Sequence, residues 1–168
     1  MLSYADFIRD ANRPRPTIVA HRGAWANAPE NSVAALEAAA TAGFEIAEID
    51  VRRAWDGQLH IFHDSTCARM TGNALAIEEM TSAEIAALRL YASDGATEQL
   101  IGHGIPTLEQ ALDAAKGRLY LDLDVKHAED LDETAAMARR MGLAAQVDIK
   151  IKVASADDVE TLVGLHDA

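Results

Sequence analysis

Arg118-Leu119-Tyr120-Leu121-Asp122-Leu123-Asp124-Val125-Lys126 alternates from Leu121 onward, with Asp122, Asp124 and Lys126 on one face of a strand and Leu121, Leu123 and Val125 on the other. Val147 to Val153 repeats the pattern, setting Asp148, Lys150 and Lys152 opposite Ile149, Ile151 and Val153. A solvated face with weak ion pairs is the plainer reading. Parallel sheets are covered on both faces, however, so the pattern favours a charged interior at the mouth of a barrel. Working outward, Pro16 to Ala20, Phe44 to Arg53 and Leu59 to Phe62 read as three earlier strands. Helices fall between and after them: Val33 to Ala42 behind Asn31 or Ser32 and stopped by Gly43, then Ala83 to Leu90 behind the capping box Thr81-Ser82-Ala83-Glu84. A helix follows Thr107 and ends at Gly117, another runs from Glu129 to Met141, and Ser155 caps a last one. About five βα units in one piece make an α/β protein with a parallel sheet.

The chain has 168 residues, 49% of them apolar and 25% charged, which suits one globular domain with a real core. A formal charge of −12 makes nucleic acid and anionic membrane surfaces poor partners. No apolar run reaches the ~20 residues that span a bilayer, so no integral membrane segment is expected. Met1 to Asp6 lacks the basic and apolar regions of a secretory signal, which makes the cytoplasm the default address. The lone Cys67 gives neither a disulfide nor a zinc-binding pair, and reads as a small buried hydrophobe.

Glu48 and Asp50, two apart near the end of their strand, point the same way. Two adjacent carboxylates are costly to ionise together without a cation, and oxygen ligands there suit Mg²⁺ or Ca²⁺. An exposed polar edge is the bland alternative. His21-Arg22 and His63-Asp64 each follow a strand directly, where α/β folds place reactive groups. Paired histidines can act as acid and base, and an arginine can hold an oxyanion. His60, His103, His127 and His166 read as surface residues. Trp25 and Trp55 are candidate pocket walls, and the long Asp64 to Ile105 segment, with one helix expected, is a candidate lid.

His21-Arg22-Gly23, Pro29-Glu30-Asn31-Ser32, Glu48-Ile49-Asp50-Val51, His63-Asp64, Ile105-Pro106-Thr107-Leu108-Glu109 and Leu123-Asp124-Val125-Lys126 occur in this order, and together resemble the glycerophosphodiester phosphodiesterases. The resemblance implies a TIM-barrel-type (β/α) fold that uses a divalent cation, Mg²⁺ or Ca²⁺, to hydrolyse small glycerophosphodiesters to glycerol 3-phosphate and an alcohol. Glu48, Asp50 and Asp124 would hold the cation, with Glu30 as a possible fourth ligand. His21 and His63 would be general base and acid, Arg22 and Lys126 would neutralise phosphoryl oxygens, and Asn31 would help orient the substrate.

Three departures from the family pattern stand out. Asp124 replaces the usual glutamate, one methylene longer, and Ser32 replaces the usual threonine. The third is length, since a complete barrel takes ~250 residues. Residues 1–168 therefore read as one domain, truncated at its C-terminal end relative to the family and incomplete against eight strands. Association with a second copy would be one way to complete it. A non-catalytic half-barrel that binds a partner, and a related phosphodiesterase that forms a cyclic phosphate, are the alternative functions.

Overall fold

Residues 1–152 are described by the computed structural model, so Val153 and the helix expected after Ser155 lie outside the described residues. The elements are α1 (Tyr4–Arg9), β1 (Val19–His21), α2 (Val33–Thr41), β2 (Ile46–Arg53), β3 (Leu59–Ile61), α3 (Ala68–Thr71), α4 (Ser82–Ala87), β4 (Tyr91–Ala92), β5 (Thr97–Leu100), α5 (Leu108–Ala115), β6 (Tyr120–Val125), α6 (Leu131–Arg140) and β7 (Val147–Ile151). Four strands run parallel in the order β1-β2-β6-β7, and β3 joins beside β2 as the fifth strand of the sheet. Among the described residues the sheet is open, with β1 and β7 at the two ends of that order. Register places Glu48 beside Asp122, Asp50 beside Asp124, and Asp124 beside Lys150. The acidic and basic side chains of neighbouring strands therefore interleave on one face, as the alternation predicts.

The opposite face carries the main core. Ile49, Val51, Leu121, Leu123 and Val125 pack against Leu36 and Ala39 of α2 and Leu108 and Leu112 of α5. Each fully buried leucine or isoleucine here stabilises the fold by about 1.5–3 kcal/mol. The helices start where the sequence places caps. Ser32 Oγ accepts from the Ala35 amide, and Thr81 and Thr107 open reciprocal boxes with Glu84 and Gln110. Alanine on the inner face of α2 lets it approach the sheet closely, which matters at Gly23 below.

One strand differs from the expectation of consecutive parallel units. β3 pairs antiparallel with β2, Val51 opposite Ile61 and Arg53 opposite Leu59. Only residues 54–58 separate the two strands, and a parallel crossover needs a dozen or more. His60 differs too. It is buried between β2 and Thr107, with its ring Nε2 3.1 Å from Ser82 Oγ. β3 is covered on both faces, so the surface reading of His60 does not hold.

The segment from 64 to 105 contains α3, α4 and the β4–β5 hairpin, more structure than the single helix expected. It is organised on a second core in which Phe62, Cys67, Met70, Ile77, Met80, Ile85, Leu90 and Ile105 are buried. Cys67 sits there as the expected hydrophobe, its thiol pushed up to about 12 chiefly by burial. α1, which sequence reading missed, is opened by Ser3 and packs on the start of β6: Phe7 stacks on Tyr120, and the Tyr4 hydroxyl donates to Asp122. No helix among the described residues is long and apolar enough to cross a membrane.

Candidate active site

Side chains from β2 and β6 meet at the C-terminal end of the parallel strands. Glu48, Asp50 and Asp124 each offer one carboxylate oxygen, and these oxygens lie within 4.8 Å of one another. Glu48 and Asp50 are buried, at 5% and 1% exposure. Burial first, and the Asp50 charge second, push Glu48 above the usual carboxylate range. Lys126 places its ammonium 2.5 Å from Asp50 Oδ1 and 2.7 Å from Asp124 Oδ2. Burial alone would lower the lysine, but these two carboxylates outweigh it and raise it. The donor set is all oxygen, anionic and partly desolvated, which fits a hard divalent cation.

The loop after β1 brings the next residues. His21 Nε2 stands 3.8 Å from Glu48 Oε2, and the Arg22 amide donates to that same oxygen at 3.3 Å. Arg22 Nη1 donates to both oxygens of Glu30, at 3.0 and 3.1 Å. Its Nε lies 3.7 Å from Asp50 Oδ2 and is a buried donor with no hydrogen-bond partner among the described residues. Asn31 is committed to Asp50: its Nδ2 donates to Oδ2 at 2.8 Å, and its Oδ1 accepts from the Asp50 amide at 3.2 Å. Arg22 and Asn31 both have left-handed backbones, with φ of 59° and 51°. Such conformations at non-glycine residues cluster at functional sites.

His63 enters from the far end of β3. Its Nδ1 lies 2.7 Å from Asp64 Oδ1, and Arg52 donates to its backbone carbonyl from both Nε and Nη2. Arg69, on α3, joins this pair to the rest. It donates to Asp64 through Nε at 2.6 Å and Nη2 at 3.0 Å, to Glu30 at 2.5 Å, and to the Asp94 carbonyl of the hairpin. Burial would raise Asp64, but hydrogen bonds from Arg69 and His63 prevail and hold it below its ordinary value. All nine residues expected at the site are thus linked by direct contacts or through Asp64 and Arg69. Arg69 escaped the sequence reading because nothing in its spacing marks it.

A cavity of about 460 Å³ opens beside His21, lined by Arg22, Trp25, Glu30, Arg69 and Asp94. Trp25 is fixed there by donating Nε1 to the His21 carbonyl at 3.0 Å. Trp55, largely exposed, borders a smaller cavity of about 280 Å³ next to His127. A larger cavity of about 800 Å³, lined by His60, Ser82, His103 and Thr107, contains none of the carboxylates above.

Residues 21–162 match the sequence model of the Glycerophosphoryl diester phosphodiesterase family. The chain belongs to this family. A glycerophosphodiester phosphodiesterase of Caldanaerobacter subterraneus subsp. tengcongensis is 33% identical over 110 residues, which is 65% of this chain and 44% of that protein. The crystal structure of glycerophosphodiester phosphodiesterase from Agrobacterium tumefaciens str. C58 aligns with a TM-score of 0.76 at 30% identity, over 91% of this chain and 64% of that one. An Oleispira antarctica phosphodiesterase, solved in complex with the product sn-glycerol-3-phosphate, aligns with a TM-score of 0.67 at 26% identity, over 90% and 72% of the two chains. This family member spans less than half the length of the curated relatives it matches. Its open sheet of parallel strands is an incomplete version of the TIM-barrel-type fold expected from the motifs.

Proposed function

We propose that residues 1–168 form one glycerophosphodiester phosphodiesterase-like domain that hydrolyses glycerophosphodiesters to glycerol 3-phosphate and an alcohol. The observation that carries this reading is the convergence of Glu48, Asp50 and Asp124 beside His21 and Arg22 at one end of the sheet. Glu48, Asp50 and Asp124 would hold a divalent cation, Mg²⁺ or Ca²⁺. When bound, it supplies polarisation of a phosphoryl oxygen and stabilises the charge that develops there.

The remaining steps belong to the chain. His21 takes a proton from water as its oxygen bonds to phosphorus, and His63 gives a proton to the alcohol oxygen as the bond from phosphorus to that oxygen breaks. Arg22 and Lys126 would supply positive charge to the phosphoryl oxygens. Asn31 acts by fixing Asp50 rather than by reaching outward, and Glu30 by holding Arg22.

The test is glycerol 3-phosphate release from a panel of glycerophosphodiesters with Mg²⁺, with Ca²⁺ and with chelator. Release is expected with cation only, and His21→Ala should lower it by about 10²–10⁴-fold. No release from folded protein would favour the second reading, a half-barrel that binds a partner. That reading draws on β1 and β7, which stand at the open ends of the sheet. Sedimentation of the active sample would show whether a second copy supplies the remaining wall.

Glu48 adds a pH test. Its folded pKa lies above its unfolded value, so the stability it contributes is present at low pH and is lost as pH rises through the folded pKa. A cation competes with that proton and reverses the loss. The rise in Tm on adding cation is therefore expected to be larger at about pH 7.5 than at about pH 5. Equal shifts at both values would remove Glu48 from the ligand set.

A further inference from the structure

Arg69 distributes its donors in a way that a purely structural surface arginine does not need. Nε and Nη2 form a two-pronged bond to Asp64, at 2.6 and 3.0 Å, while Nη2 also reaches Glu30 at 2.5 Å. Nη1 donates to the Asp94 carbonyl at the tip of the β4–β5 hairpin. The two carboxylates it grips each serve another group. Asp64 holds His63 through Nδ1 at 2.7 Å, and Glu30 accepts both hydrogen bonds from Arg22 Nη1. A continuous run His63–Asp64–Arg69–Glu30–Arg22 thus joins the loop after β3 to the loop after β1. Among the described residues, Arg69 is the link in this run between the two halves.

The chemistry of the run fixes a tautomer. Asp64 takes N–H donors from Arg69 on both oxygens and is an anion, so it can only accept from the imidazole. His63 must therefore carry a proton on Nδ1, leaving Nε2 as the atom that gains or gives a proton. Without Arg69, Asp64 would lose the fork that sets its plane, and the imidazole would be free to exchange tautomers and rotate. Lysine could not replace it fully, since an ammonium lacks the planar fork needed to span two carboxylates and a carbonyl.

We propose that Arg69 is a positioning residue that fixes the Asp64 carboxylate, and through it the Nδ1-protonated form of His63, and fastens that pair to the Glu30–Arg22 pair. The kinetic part of this inference rests on the phosphodiesterase reading; the tautomer part does not.

The experiment compares wild type, Arg69→Met and Arg69→Lys, each first shown to be folded by its thermal transition. Nitrogen-15 spectra of the imidazoles report the His63 tautomer, with His63→Ala assigning the signal. Wild type is expected to show the Nδ1-protonated form, Arg69→Met a mixture, and Arg69→Lys an intermediate state. With glycerophosphocholine as substrate, Arg69→Met should lower kcat by about 10–100-fold while KM changes less than about threefold, and Arg69→Lys should recover part of kcat. If Arg69→Met fails to fold, Arg69→Lys carries both readouts. An unchanged His63 spectrum in a folded variant overturns the proposal, and so does kcat within about twofold of wild type. Absence of turnover in wild type would count against the phosphodiesterase reading, and the imidazole spectra would then decide the role of Arg69 alone.

Discussion

Asp50→Asn is expected to give a folded protein whose cation-dependent release of glycerol 3-phosphate falls by at least about three orders of magnitude. The substitution keeps the shape of the side chain and removes one of the charges that a cation would meet. Asp50→Ala should do more. Asp50 is 1% exposed and touches Lys126, Asn31 and Arg22 together. Truncation leaves the Asn31 Nδ2 donor without its partner and removes one of the two carboxylates that balance Lys126. Breaking a buried pair of this kind costs about 3–5 kcal/mol. Calorimetric titration of cation into Asp50→Asn, and a urea midpoint for Asp50→Ala, would test the two parts separately. Wild-type cation affinity in Asp50→Asn would show that the ion binds elsewhere.

Gly23→Ala is expected to destabilise the chain by about 2–4 kcal/mol, from two independent causes. Gly23 has φ of +81°, and an added Cβ would lie 2.8 Å from Ala35 Cβ and 2.9 Å from the Ala35 carbonyl carbon. Backbone of α2 cannot move aside cheaply, because Ala35 is fully buried and accepts the Ala24 amide at 3.0 Å. His21 and Arg22 immediately precede the clash, so the same change should displace them from Glu48. Ala35→Gly removes the Cβ part of the clash at a helix cost of about 1 kcal/mol. The double variant should therefore be more stable than the sum of the single effects. Strict additivity in urea unfolding would defeat this account of the contact.

Much of this arrangement was legible in the sequence, for identifiable reasons. Strict alternation at Leu121 to Lys126 and at Glu48 and Asp50 placed the carboxylates on one face, because a strand leaves no other choice. Ser32, Thr81 and Thr107 marked their helices through caps that act locally. The direction of β3 was legible in principle, since the turn at Asp56 and Gly57 leaves too few residues for a crossover. His60 was not, because its burial depends on Ser82 and Thr107, which only the tertiary fold brings to it. Arg69 was not either. Its partners lie 5, 39 and 25 residues away, a set that no periodicity announces. The order of the second core was hidden for a similar reason, since its apolar residues follow no helical or strand period from Phe62 to Ile105.

The central place of β2 bears on which parts of the proposed site are held most firmly. Among the described residues, β2 pairs with β1, β3 and β6, whereas His21 closes a strand with a single neighbour and His63 lies beyond the end of β3. Amide protons of β2 should therefore be among the last to exchange with deuterium, and those around His21 and His63 among the first. Glu48 and Asp50 ride on this strand, which is expected to open only with the whole domain. The proposed acid and base would then stand on the outlying segments of the site, and the carboxylates on its most firmly held strand.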